Sequence, residues 1–130
     1  VGPVLLVAGG SGLAPLQSII RTMLARNYAA PIQLYFGVRA ERDVYNESLL
    51  ADLAMDHPNF SYTIVLSDPD DTSRRTGFVH AAVAADLDSV AGYKAYLAGP
   101  PVMVEAATEM LKEKGLPARD IHADAFYDQP

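Results

Sequence analysis

Five short apolar runs, each ended by glycine, proline or a charged turn, alternate with helical segments along almost the whole chain. Val4 to Ala8, Ile32 to Val38, Tyr62 to Leu66, Tyr93 to Ala98 and Ile121 to Phe126 read as strands. The first of them, apolar throughout and closed by Gly9-Gly10, reads as a strand covered on both faces. Parallel strands need long crossovers, and the intervening helical segments supply them. The pattern therefore predicts an α/β fold: an open, mostly five-stranded parallel sheet with helices on both faces, in one domain over residues 1–130.

The helices are read from apolar spacing. Leu16, Ile19, Ile20, Met23 and Leu24 recur on one face after Pro15, which suits a first turn, and this helix should end near Asn27. Asn46 is placed to cap a short helix carrying Leu49, Leu50 and Leu53. An alanine-rich helix resumes at Phe78, and Met103, Ala106, Ala107, Met110 and Leu111 mark another that closes at Gly115. These stripes are core, so chemistry belongs to the loops between elements.

Composition excludes several function classes. The chain has 130 residues with a formal net charge of −6 and no run of Lys or Arg, so it lacks the electrostatic footprint for nucleic acid or an anionic membrane surface. With no cysteine there is no disulfide, zinc thiolate, iron–sulfur ligation or thiol nucleophile. The apolar run from Val4 to Ala8 is far too short to span a bilayer and no basic region precedes it, which makes a cytoplasmic location the expectation. No metal site is expected: His57, His80 and His122 are scattered singly, in solvated or structural settings, and Asp68, Asp70 and Asp71 lack the ligand ladder of a calcium loop.

In an open parallel sheet, ligands bind beyond the carboxyl ends of the strands where strand order reverses. Three loops leave such ends: Gly9 to Pro15, Ser67 to Gly77, and Gly99 to Met103. The first offers backbone without a Cβ barrier at Gly10 and Gly12, a hydroxyl at Ser11, and then a helix N-terminus, which together suit a pyrophosphate. The same turn also serves merely to let a helix pack close to a strand.

Other nucleotide and hydrolase patterns do not fit. Gly10-x-Gly12-x-x-Pro15 has proline where the usual dinucleotide fingerprint has its third glycine, and the second strand ends Gly37-Val38-Arg39 without a ribose-binding acid. There is no Gly-Lys-Ser or Gly-Lys-Thr, and Gly9-x-Ser11-x-Leu13 lacks the closing glycine of a nucleophile elbow.

Three motifs together carry a resemblance. Leu6-Val7-Ala8-Gly9-Gly10-Ser11-Gly12-Leu13-Ala14-Pro15, Tyr35-Phe36-Gly37-Val38-Arg39 and Tyr96-Leu97-Ala98-Gly99-Pro100-Pro101-Val102-Met103 resemble, in order and spacing, the nicotinamide-nucleotide domain of the ferredoxin–NADP reductase superfamily, with its Rossmann-like fold. Arg74-Arg75-Thr76-Gly77-Phe78-Val79 and Asp120 to Tyr127 are most similar to reductases of bacterial ring-hydroxylating dioxygenases, the naphthalene dioxygenase reductase type.

The resemblance implies that Gly10, Ser11 and Gly12 line the pyrophosphate and nicotinamide ribose, while Val38 and Arg39 approach the nucleotide from the second strand. Where NADPH-preferring members place Ser-Arg, this chain has Ser67-Asp68; a carboxylate there accepts a ribose diol and repels a 2′-phosphate, so NADH is expected over NADPH. Arg74 and Arg75 are the counterargument, since a guanidinium fork in the same loop could recruit that phosphate. Ala98, Gly99, Pro100 and Met103 fall at the reacting end, with Ala98 in the place of a frequent family cysteine. Asp124 and Phe126 match the acidic residue and aromatic that the family sets against its flavin.

By the same resemblance, FAD belongs to a preceding β-barrel domain whose Arg-x-Tyr-Ser/Thr motif has no counterpart here, so the chain corresponds to the C-terminal half of a reductase. The implied activity is hydride transfer from NADH to FAD and electron delivery to an iron–sulfur partner of an oxygenase system. Two rivals stay open: a nucleotide-sensing module that moves no electrons, and the reductase domain of a flavohaemoglobin or di-iron monooxygenase.

Overall fold

The computed structural model describes residues 2–125. Phe126, expected at the end of the last strand, lies outside them, as does Tyr127. Six strands form one parallel sheet: β1 (Val4–Gly9), β2 (Ile32–Val38), β3 (Phe60–Leu66), β4 (Arg75–Thr76), β5 (Lys94–Gly99) and β6 (Ile121–Ala125), in the order β4-β3-β2-β1-β5-β6. The helices are α1 (Leu13–Ala25), α2 (Glu47–Asp56), α3 (Val79–Asp86) and α4 (Pro101–Glu113), with 3-10 turns at Gly10–Gly12, Glu41–Asp43 and Ala118–Asp120. Among the described residues no helix is long and apolar enough to cross a membrane.

The sheet is sandwiched between helices, as the apolar runs require. Every residue of β1 is buried. Its even-numbered side chains, Val4, Leu6 and Ala8, join Leu16, Ile20 and Leu24 of α1 and Leu50 of α2; Leu5 and Val7 join Val83 of α3 and Val104, Ala107 and Leu111 of α4. Two apolar layers thus meet at one strand, and fully burying each large aliphatic side chain contributes about 2 kcal/mol.

Three expectations are corrected in detail. The sheet has a sixth strand, because two residues of the 67–77 segment return along β3, with Val65 opposite Arg75 and Leu66 opposite Thr76; a pairing of two charged or polar residues leaves no periodic trace. Helix α1 starts at Leu13, so Pro15 is its third residue, still in the turn where a missing N–H costs nothing. Asn46 stands at the N-cap of α2 but in the left-handed region at φ 60°, makes no side-chain capping bond, and donates its Nδ2 to Gln17 Oε1 at 3.3 Å instead.

Candidate functional site

The chain runs outward from β1 through β2 and β3 to β4, then crosses back to β5 and β6 on the other side. Strand order therefore reverses between β1 and β5, and the loops leaving these two strands diverge over the carboxyl end of the sheet. Beside that point lies a cavity of about 800 Å³, within the size range of cofactor sites. Gly9 and Gly10, Gly37 to Arg39, Ser67, Gly77 to His80 and the start of α4 contribute its walls.

Local sequence dictates this opening. Gly12 is buried, and a Cβ there would overlap the Ala98 carbonyl, so its absence lets the turn after β1 lie on β5. Gly10 is the opposite case: it has φ 53° and its missing Cβ faces open space. Of two glycines two positions apart, one closes a packing contact and the other leaves backbone bare at the cavity.

The sequence-derived residues divide accordingly. Gly10, Val38, Arg39, Pro100 and Met103 line the cavity. Ser11 and Pro15 are exposed beside it, at the start of the α1 segment, while Gly12, Ala98 and Gly99 are buried behind it and shape the strand ends. Asp68 sits at the rim: its N–H donates to the Arg39 carbonyl at 2.8 Å, and its carboxylate accepts from Arg39 Nη2 at 3.3 Å. Both side chains are over 70% exposed (74% and 73%), so the pair is solvated and weak. Asp124 is exposed on β6, in register with Ala98 at the carboxyl end of β5.

Arg74 and Arg75, the other cations expected near the nucleotide, stand apart from the cavity, and neither lines it. The Arg74 guanidinium is spread over two carboxylates, with Nε to Glu41 Oε1 at 2.7 Å and Nη2 to Glu47 Oε1 at 2.6 Å among four such bonds. Those bonds hold Glu41 and Glu47 below the usual carboxylate range and raise Arg74 further. Arg75 donates to both oxygens of Asp86, at 3.1 and 2.9 Å, and Tyr35 donates its hydroxyl to the same carboxylate at 2.7 Å. Asp86 is lowered by these partners, Arg75 first, and burial raises the Tyr35 phenol. Both guanidiniums are engaged with carboxylates of the same chain.

Sequence reading missed three side chains. Phe78, 68% exposed, lines the cavity and stacks on His80 with ring centroids 6.0 Å apart; an aromatic directly after Gly77, where the helix has no capping residue, was the available signal. His80 is thus a cavity residue, while His122 stacks on Tyr96 at 5.0 Å. Tyr45 donates its hydroxyl to the Gly10 carbonyl at 2.7 Å. Burial pushes its phenol up, against a smaller opposing effect from the Leu13 backbone N–H. Among the described residues no group of acidic, histidine or cysteine side chains could hold a metal ion.

Comparison with known proteins agrees with this geometry. Residues 6–109 match the family model described as the oxidoreductase NAD-binding domain. The chain is 46% identical over 127 residues to the ferredoxin–NAD(P)+ reductase component of the naphthalene 1,2-dioxygenase/salicylate 5-hydroxylase systems of a Ralstonia species, covering 97% of this chain and 39% of that protein. It is 43% identical to the corresponding naphthalene 1,2-dioxygenase component of Pseudomonas putida, again over 97% and 39%. The crystal structure of the Amycolatopsis cytochrome P450 reductase GcoB superposes with a TM-score of 0.91 at 42% identity, over 96% of this chain and 38% of that one. The chain thus spans about two fifths of the length of the proteins it matches.

Proposed function

The chain belongs to the oxidoreductase NAD-binding domain family, and from that premise we propose that it is the NADH-binding part of a flavin-dependent reductase serving an oxygenase system. The observation that carries the reading is the cavity of about 800 Å³ beside the point of strand-order reversal, with Gly10 backbone open to it and apolar walls from Val38, Val79 and Met103. A nicotinamide dinucleotide fits that combination of size, apolar lining and exposed backbone donors.

In this reading Gly10 and Ser11 hold the pyrophosphate and Gly12 keeps their turn against β5. Val38 and Arg39 meet the nucleotide from β2, Phe78 offers a flat apolar face, and Gly99, Pro100 and Met103 frame the nicotinamide end. The bound cofactor supplies a hydride for a flavin, chemistry that needs placement rather than a general acid or base. Among the described residues, the cavity wall's His80 and Asp43 are joined by no hydrogen bond or ion pair, which suits such a site.

NADH is preferred over NADPH because Asp68 offers a carboxylate where a 2′-phosphate would sit, and because it balances the charge of Arg39, a cation lining the cavity. FAD resides on a further domain of the same protein, facing the β6 end at Asp124, and an iron–sulfur protein accepts the electrons in the cytoplasm. The resemblance to a cytochrome P450 reductase favours one second reading, in which the flavin domain feeds a haem protein.

Thermal unfolding with NAD(H) and NADP(H) at matched concentration tests the reading. Ligand at a hundredfold its dissociation constant adds about 2.7 kcal/mol, roughly ten degrees for a chain of this size. Stabilisation by NAD(H) well above that by NADP(H) is expected. Equal or greater stabilisation by NADP(H) overturns the preference, and no shift with either at millimolar ligand overturns dinucleotide binding by this chain.

A further inference from the structure

The β2–α2 connection, which carries Tyr45, does more than join two elements. The Tyr45 ring packs edge-on against Phe36 of β2, with centroids 5.4 Å apart at 87°, and its hydroxyl reaches across to the Gly10 carbonyl. Next to it, Asn46 reaches Gln17 of α1. On either side, Glu41 and Glu47 are gripped by the single guanidinium of Arg74. Residues 41–47 therefore form a strap, drawn tight at both ends by one cation and touching the glycine turn in the middle.

The contact has a directional consequence. A trans peptide points its C=O and the following N–H to opposite sides. Phe36, on which Tyr45 rests, belongs to the apolar layer beneath α1 and α2, whereas Val79 and Met103 of the cavity wall pack in the layer beneath α3 and α4. Holding the Gly10 carbonyl toward Tyr45 turns the Ser11 N–H to the opposite side of the peptide plane. Gly10, with φ 53° and no Cβ contact within 4 Å, brings no side chain to hold that peptide, which belongs to the 3-10 turn Gly10–Gly12.

We propose that Tyr45 is a positioning residue for the dinucleotide pyrophosphate: its hydroxyl locks the Gly10–Ser11 peptide so that the Ser11 N–H is presented to a phosphate oxygen. Arg74 acts through it at a distance, by keeping the strap seated. The inference rests on the NADH-binding reading and adds to it a side-chain contact that helps preorganise the glycine turn.

The test uses the 130-residue chain and its Tyr45→Phe variant, which keeps the ring against Phe36 and loses the hydroxyl. Each is titrated with NAD+ by calorimetry, and amide shifts are recorded at saturation. Wild type should bind with a large shift at the Ser11 amide. In Tyr45→Phe the affinity should fall about fivefold, as for loss of one hydrogen bond, and the Ser11 shift should shrink while those of Phe78 and His80 persist. Unchanged affinity and an unchanged Ser11 shift overturn the proposal, as does a uniform weakening of all three shifts, which marks a general structural role. Failure of wild type to bind NAD+ overturns the underlying reading, and this inference with it. Arg74→Gln is the second variant: it should reduce the Ser11 shift in the same direction, and no change there refutes the part given to the strap.

Discussion

The two ends of the cavity are built from different materials. At the β1 and β5 ends the cavity is built of backbone and small residues, Gly9, Gly10 and Pro100 at the wall with Gly12, Ala98 and Gly99 buried behind them, packed so closely that one added carbon at Gly12 meets a carbonyl. At the β3 end, residues 67–77 are shaped by charged side chains, with Arg39 on Asp68, Arg74 on Glu41 and Glu47, and Arg75 on Asp86. The first end is rigid because backbone cannot yield. The second is held by solvated ion pairs that weaken with salt and pH, and so it is the end where specificity can be changed without unfolding the sheet.

The contrast is broken most severely at Gly12. Gly12→Ala forces a methyl into the Ala98 carbonyl, and overpacking against backbone should cost about 3 kcal/mol, or roughly ten degrees in Tm, by thermal unfolding. A fall under two or three degrees would show that the β1 turn has slack. The same substitution at Gly10, where the side chain meets open space, should cost far less in steric terms and bear instead on its positive φ.

A smaller effect, on choice rather than folding, is expected at the opposite end. Asp68→Arg should move the NADP+ to NAD+ affinity ratio about tenfold toward NADP+, because it removes the carboxylate that balances Arg39 and adds a second cation. Asp68→Asn should move it the same way by less. Calorimetric titration of both nucleotides reads the change, and an unaltered ratio would relocate the discrimination away from the rim.

The smallest effect belongs to the strap. Arg74→Gln should lower Tm at neutral pH by about three degrees, since its partners are largely solvated. Glu41 and Glu47 are held below their ordinary range in the folded chain, so their contribution is present above the unfolded carboxylate value and is lost as pH falls through the depressed folded one. The gap between wild type and Arg74→Gln should accordingly close on acidification below about pH 4. A gap that persists there would assign the loss to packing of the arginine stem.

The same contrast explains what sequence showed and what it hid. The β1 turn was legible because glycine and proline carry geometry in their own covalent structure, and the strands because apolar runs closed by turns admit few alternatives. Gly12 was legible as an element of the turn, but not as the glycine packed on Ala98 rather than open to the cavity, since that depends on a strand 86 residues further on. Arg74 and Arg75 look in sequence like a pair awaiting a phosphate. Their partners, Glu41, Glu47 and Asp86, are distant along the chain and are brought near only by the fold. Tyr45 and Phe78 escaped notice for a related reason: an aromatic in a connection reads as incidental until one knows which loop it faces.

The most direct measurement is the map of amide shifts on the 130-residue chain as NAD+ is added. Saturable changes are expected at Gly9 to Ser11, Gly37 to Arg39, Gly77 to His80 and Val102–Met103, with the outer faces of α1 and α2 unaffected. Changes confined to another surface, or none at millimolar NAD+, would contradict dinucleotide binding in the cavity.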